Sequence, residues 1–331
     1  MPKADEGTRP ASASRSRHMK RPPLMARLRS IFTPNVGLVD LIPPRPAARR
    51  RDLAIVLIVR DAAPRIEEWI EFHLLAGVEH FYVYDNLSMD GTSEVIAPYV
   101  ARGLATVIPW HVDVADASSG RWMSQQILAY VHAIQTFGAG WRHMAFIDDD
   151  EFLVPTGERD LRAVLADLGH PSNLSLPWHM FGFNGHETAP QGSTFENFTR
   201  RAVLSLDERI LFFKCIVDPV KVTRAGVHDF ETTDLGRLTM NTLGQLVDGD
   251  ARRSRAYLTS EAIQLNHYFT RSRAELQAKI DRGGANQPNF ERNRARILRH
   301  AEATERETVE DRTAIEFLAR AGSHRRETAG G

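Results

Sequence analysis

Four consecutive carboxylates, Asp148, Asp149, Asp150 and Glu151, stand between two apolar runs in the stretch His143-Met-Ala-Phe-Ile-Asp-Asp-Asp-Glu-Phe-Leu-Val154. The first run has the length and composition of a buried strand of an α/β sheet, and Gly138, Gly140 and Arg142 bound it on one side. Open α/β sheets bind ligands in the crevice beyond the carboxyl ends of their strands, so all four acids are expected to project into a cleft. Like charges this close repel, and they stay ionised together most readily with a divalent cation among them. Asp148 and Asp150, spaced Asp-x-Asp, suit Mg²⁺ or Mn²⁺ shared with a diphosphate. A solvated acidic turn at a strand end accounts for the same four residues, so other segments have to decide.

The segments before the acids favour the cation. Leu53–Val59 is a β-branched, apolar run that reads as a strand covered on both faces. Pro64 opens a helix with Ile66, Trp69, Ile70 and Leu74 on one face, and Gly77 stops it. A second strand, His80–Tyr84, delivers Asp85 and Asn86. A helix follows from about Ser93 to Val100, then a third strand over Leu104–Trp110 and a helix over Arg121–Thr136. Strands and helices alternating in this way build a doubly wound, nucleotide-binding half. One rim then gathers Arg60, Asp61, Asp85, Asn86 and the acidic group. No Gly-x-Gly-x-x-Gly follows the first strand and no phosphate-binding Gly-x-x-x-x-Gly-Lys-Ser/Thr loop occurs. A bound diphosphate is therefore better neutralised by a cation on Asp148 and Asp150 than by a glycine-rich loop.

Composition is that of a globular protein, 42% hydrophobic and 25% charged over 331 residues. Residues 1 to 52 carry 12 Lys+Arg against 4 Asp+Glu, leaving 30 against 38 for the remainder. A body of that charge argues against nucleic-acid binding. The lead, residues 1–51, is rich in Pro and Arg without sustained periodicity and is expected to be disordered. Its basic amphipathic piece Leu24–Phe32 offers a peripheral contact with anionic membrane, while the simpler account is a solvated tail. Cys215 is the only cysteine, no apolar run is long enough to span a membrane and no apolar signal opens the chain, so a cytoplasmic protein is expected.

In the second half, Asn173–Trp178 reads as a strand leading to Phe181-Gly-Phe-Asn-Gly-His-Glu187. The aromatics of that loop either stack on a sugar or belong to the core, and Glu187 is either a general base or solvated. Arg209–Val217 reads as a core strand, and Val227-His-Asp-Phe230 presents His228 and Asp229 side by side. His228 is a cation ligand, a substrate contact or structural; Asp229 is the rival base; His267 approaches the cation or diphosphate, or caps the fold. Arg271, Arg273, Lys279 and Arg282 form a positive group, some of it placed to meet a diphosphate. Helices are expected over Asn289–His300 and Thr308–Arg320, with the last ten residues fraying.

Val59-Arg-Asp-Ala, Glu68-Trp-Ile-Glu-Phe-His73, Gly77-Val-Glu-His-Phe-Tyr-Val-Tyr-Asp-Asn86, Ser88-Met-Asp-Gly-Thr92 and Phe146-Ile-Asp-Asp-Asp-Glu-Phe152, taken together and in order, resemble glycosyltransferase family 92, a relative of the family 2 glycosyltransferases. Trp178-His-Met-Phe-Gly-Phe-Asn-Gly-His186 and Leu265-Asn-His-Tyr-Phe-Thr-Arg-Ser272, with Lys279 and Gly283 after them, extend the likeness over residues 52 to 284. The chain departs at Arg60-Asp61, where such proteins often have Asn-Glu. The resemblance implies a GT-A fold: an α/β, doubly wound mixed sheet with a nucleotide-binding half and an acceptor-binding half. It implies a domain over 52–284, outside which the charged helices and tail of 285–331 lie, and a metal-dependent transfer of a hexose, such as galactose, from a UDP-linked donor to a glycan or other hydroxyl, with inversion. Asp61 and Asp85 would line the base pocket with Arg60 and Asn86. Asp148 would face the ribose and the cation, and Asp150, with His228 and His267 as candidate partners, would ligate Mn²⁺ or Mg²⁺. Glu187 and Asp229 remain the candidate bases. Two other readings compete: a haloacid-dehalogenase-like phosphatase using Asp148 and Asp150, disfavoured because Phe152 stands where those enzymes carry Thr or Val, and a sugar-binding module without turnover.

Overall fold

The computed structural model describes residues 37–207, 209–282 and 290–329. Its strands run in chain order β1 (Leu38–Asp40), β2 (Arg51–Val59), β3 (His80–Asp85), β4 (Ala105–Pro109), β5 (Trp141–Phe146), β6 (Glu151–Pro155) and β7 (Asn173–Met180). Then come β8 (Arg200–Ala202), β9 (Phe213–Val217), β10 (Val222–Gly226), β11 (Phe230–Thr232), β12 (Leu238–Met240), β13 (Leu246–Asp248), β14 (Ile263–His267) and β15 (Thr308–Glu310). The central sheet is mixed, in the order β13-β12-β7-β9-β5-β2-β3-β4, with β14 joining β7 to β6. Its β4-β3-β2-β5 half is wholly parallel. From β5 onward it turns antiparallel through β9 to β7.

This half is covered on both faces, as the unbroken apolar run of β2 requires. Leu53, Ile55, Leu57 and Val59 belong to the core under the helices Ala63–Leu75 and Thr92–Ala101. Ala54 and Val56 point the other way, into a second core with Ala129, Tyr130 and Ile134 of the helix Gln125–Phe137. Gly77 ends the first helix at φ +97°, and a Cβ there would lie 2.8 Å from an Asp160 carboxylate oxygen. The left-handed conformation is what calls for glycine here, and any side chain would in addition make the Asp160 carboxylate shift.

Two expectations change, and one open alternative is settled. Residues 37–51 are ordered rather than disordered: β1 pairs antiparallel with β10, and Arg50 donates to the Trp141 carbonyl and forms an ion pair with Asp218. Proline-rich sequence lacks helical or strand period, but long-range pairing holds it all the same. The rest of that lead, including Leu24–Phe32, lies outside the described residues. Toward the other end, helices cover Phe290–Arg306 and Thr313–Ala329, and Thr308–Glu310, expected to open the second helix, is instead strand β15. Phe181 and Phe183 are core. Phe181 stacks on Tyr268 with centroids 4.5 Å apart, and Phe183 packs with Leu276, Ile280 and Ile297, so that loop offers no platform for a sugar. Among the described residues no helix is long and apolar enough to cross a membrane.

Candidate active site

The acids occupy the turn between β5 and β6, beyond the carboxyl end of β5, where β2 and β3 also end. The turn is closed reciprocally, with the Asp148 amide donating to Glu151 Oε2 at 3.0 Å and the Glu151 amide to the Asp148 carbonyl at 3.1 Å. Glu151 therefore points into the protein and not into a cleft, which corrects the expectation for the fourth acid. Its carboxyl has no exposed surface, and burial holds it well above the usual carboxylate range although Lys214 opposes the shift.

The remaining acids are each faced by a cation the chain itself supplies. Antiparallel pairing sets Phe146 opposite Cys215, so β9 carries Lys214 to the acids. The Lys214 ammonium sits 2.9 Å from Asp148 Oδ2 and 3.7 Å from Glu151 Oε2. Burial alone would lower the pKa of that ammonium; Asp148 and Glu151 outweigh it and hold the group well above its ordinary value. Gln126 donates to the other Asp148 oxygen at 2.6 Å and is itself bonded to the Tyr130 hydroxyl. Arg271, in a left-handed backbone conformation, donates to the Asp149 carbonyl at 3.3 Å. Burial and the charge of Asp150 raise the Asp149 carboxyl.

Asp150 is clasped from two directions. β14 runs antiparallel to β6 with His267 opposite Glu151, which places His267 Nε2 3.2 Å from Asp150 Oδ1. The helix Arg273–Arg282 begins with a reciprocal cap, the Ser272 amide donating to Glu275 Oε2 and the Glu275 amide to Ser272 Oγ. That helix carries the Lys279 ammonium to 2.6 Å from Asp150 Oδ2. Burial would raise the Asp150 carboxyl; Lys279 and His267 prevail and hold it well below the usual range. Burial lowers the pKa of the His267 ring, against the pull of Asp150.

Two cavities meet at this turn. One, of about 480 Å³, opens beyond the ends of β2 and β3 and is lined by Arg60, Asp61, Asn86, Arg65, Arg271 and Glu275. The other, of about 750 Å³, is lined by Trp178, His228, Asp229, Phe269, Arg296 and His300. Asp149, Asp150, Phe269 and Lys279 border both.

The candidate residues divide accordingly. Arg60, Asp61 and Asn86 line the first cavity as expected from their strand ends. Asp61 adopts φ 55° and its Oδ1 accepts from the Met89 amide, which ties the first strand's end to the loop after β3. Asp85 lies beside them but is spent on that loop, accepting from the Ser88 amide and the Ser93 hydroxyl, and it does not line the cavity. His228 and Asp229 line the second cavity. The His228 ring, lowered to about 3 by burial and by Lys214, donates Nδ1–H to the Phe213 carbonyl at 2.8 Å, leaving Nε2 as the acceptor. Asp229 is half-exposed and forms an ion pair with Arg252. Glu187 borders neither cavity; its side chain is 76% exposed and pairs with Arg273 at 3.0 Å. Among the described residues no group of three or more His, Cys, Asp or Glu is arranged to hold a metal ion.

The same turn, strand ends and downstream histidine lie inside a span matched by a known family. The profile of glycosyltransferase family 92 matches residues 57–300. The chain belongs to glycosyltransferase family 92. A family 92 protein of Oryza sativa subsp. japonica is 27% identical over 209 residues, covering 60% of this chain and 33% of its relative. One from Ricinus communis is 29% identical over 230 residues, covering 66% and 39%. The chain thus spans between a third and two fifths of the length of the curated relatives it matches. Among solved structures, a fragment of S. aureus TarS (residues 1–349) overlaps with a TM-score of 0.32 at 15% identity, covering 76% of this chain and 72% of that one. A mannosyltransferase from Pyrobaculum calidifontis, in complex with GDP-Man and Mn²⁺, overlaps with a TM-score of 0.27 at 19% identity, covering 46% and 41%. Overlaps this loose leave the family 92 fold to be read from its own sheet: mixed α/β, with a parallel half bearing the strand-end residues.

Sequence reasoning missed Lys214, Gln126, Arg65 and Trp178. Lys214 left one signal, a lone ammonium inside the apolar run Leu211-Phe-Phe-Lys-Cys-Ile-Val217, because a buried lysine demands a carboxylate partner. Nothing local marks the others.

Proposed function

We propose that this family 92 chain transfers a hexose from a nucleoside diphosphate, UDP in the first instance, to a hydroxyl of a glycan. Supporting this reading most directly, two cavities share the Asp149–Asp150 edge: a donor and an acceptor must meet at one reacting carbon, and a single pocket would not accommodate both. In the donor cavity Arg60, Asp61 and Asn86 lie where the base and ribose would bind, and Arg65 and Arg271 bring positive charge toward the diphosphate.

The residues on the shared edge fit a divalent cation. Asp150 Oδ1 and His267 Nε2 lie 3.2 Å apart, an oxygen and an imidazole nitrogen that together suit Mn²⁺ over the strictly oxygen-seeking Mg²⁺. In this structure Nε2 faces Asp150 Oδ1 and donates to it, while Nδ1 is buried without a hydrogen-bond partner, so ligation through Nε2 would require the ring proton to move to Nδ1. With these two donors close together and no third His, Cys, Asp or Glu joining them among the described residues, the remaining ligands would be diphosphate oxygens and water. A cation held there offsets the charge that develops on the departing diphosphate. Asp148, fixed by Lys214 and Gln126, lines the acceptor cavity and not the donor cavity, so its carboxylate would face the sugar side of the shared edge.

The acceptor cavity supplies the base. Of the two carboxylates considered, Asp229 borders it and Glu187 does not, so Asp229 would take the proton of the attacking hydroxyl and the reaction would invert the anomeric carbon. Trp178 and Phe269 give the cavity an aromatic wall against which the apolar face of a sugar ring packs. A crystal structure with UDP and Mn²⁺ tests the reading: the ion is expected on Asp150 and the uracil beside Asn86 and Asp61. An ion or nucleotide bound elsewhere rejects it.

A further inference from the structure

Both oxygens of Asp150 are already engaged by the chain's own groups, His267 on Oδ1 and the Lys279 ammonium on Oδ2. The two partners differ in freedom. His267 is buried on β14, between the ring of Trp178 at 4.3 Å and that of Phe269 at 5.4 Å, and is fixed in place. Lys279 is 38% exposed and reaches the carboxylate along a flexible stem from a helix that is anchored elsewhere, through the Ser272 cap and the Arg65–Glu275 ion pair. Its ammonium also lies 4.4 Å from the centre of the Phe269 ring, on the border of both cavities, so a short swing carries it off Asp150 without moving the helix.

We propose that Lys279 occupies Asp150 in place of the divalent cation while the donor cavity is empty, and transfers to the diphosphate when cation and nucleotide arrive together. The inference rests on the nucleotide-sugar reading above. A cation arriving alone must displace an ammonium and leave it without an anionic partner, whereas the diphosphate gives that ammonium a new one. Cation and nucleotide therefore bind cooperatively, and because the coupling is a free energy between two sites, each tightens the other by the same factor. A cation lodged on Asp150 without donor is thereby disfavoured. Lys279 is a positioning residue in this scheme: it decides when the carboxylate is available.

Calorimetry on the full chain with MnCl₂ alone, UDP alone and both together tests this in the unsubstituted protein, Lys279→Gln and Lys279→Arg. If Lys279 leaves Asp150 open one tenth of the time, Lys279→Gln binds Mn²⁺ alone about tenfold more tightly than the unsubstituted protein. UDP then tightens Mn²⁺ binding less in that variant than in the unsubstituted protein, because only direct ligation by the diphosphate still couples the two. Lys279→Arg, which keeps the charge, retains both the weak binding of Mn²⁺ alone and its tightening by UDP. A Lys279→Gln protein that binds Mn²⁺ no more tightly, when the unsubstituted protein does bind Mn²⁺ with UDP, overturns the inference and leaves the nucleotide-sugar reading standing. An unsubstituted protein that binds neither ligand overturns both.

Discussion

Lys214 and Asp148 face each other at 2.9 Å across the join of β5 and β9, the ammonium without any exposed surface and the carboxylate opening to the cavity. A charge buried this completely persists only against a partner, and Lys214 has two, since Glu151 lies 3.7 Å away. Replacing Lys214 with Met strands both acids and is expected to cost about 3–5 kcal/mol of folding stability, read from urea unfolding. Adding Glu151→Gln should return part of that loss. A Lys214→Met protein as stable as its parent contradicts the counter-charge role.

The two candidate bases separate by place. Glu187 pairs with Arg273 in solvent, so Glu187→Gln is expected to leave kcat/KM within about twofold. Asp229→Asn removes a carboxylate from the wall of the acceptor cavity and is expected to lower kcat by on the order of 10²-fold or more, with the Km for donor little changed. Steady-state kinetics on both variants checks the assignment, and the opposite ranking reverses it.

His73 joins the first helix to β6, with Nδ1 at 2.8 Å from the Trp69 carbonyl and Nε2 accepting from the Leu153 amide at 3.2 Å. Burial lowers its pKa to about 3, so the folded protein keeps the ring neutral where an unfolded chain protonates it near the ordinary value of 6.5. Protons then favour the unfolded state between these two values, and stability should fall as pH drops from 6.5 toward 3, by up to about 1.4 kcal/mol per pH unit from this group. His73→Gln is expected to be less stable at pH 7 but to show a shallower decline, measured by urea midpoints across that range. An unchanged slope contradicts the buried neutral ring.

How legible was this in the sequence? The parallel half was, because β2, β3 and β5 are continuous apolar runs between clear stop signals, and each delivers polar residues at its carboxyl end. Asp148 and Asp150 stood out for the same reason. Glu151 did not separate from its neighbours, because the direction of its side chain depends on a turn closed through its own carboxylate. Residues 37–51 looked featureless because their order comes from Asp218 and β10, more than 150 residues away. Lys214, Lys279 and His267 reach the acids from three separate later segments, and only the register of β9 and β14 and the cap at Ser272 bring them together.

The central claim is that Asp150 and its neighbours drive cation-dependent release of a nucleoside diphosphate from a sugar donor. Incubation of the full chain with a panel of nucleoside-diphosphate hexoses, with Mn²⁺ and then with excess EDTA, tests it directly. Release of UDP from at least one donor, lost with EDTA and reduced by on the order of 10²-fold or more in a folded Asp150→Asn protein, is the expected result. A flat panel with no thermal shift on adding UDP plus Mn²⁺, or release that Asp150→Asn leaves intact, contradicts it.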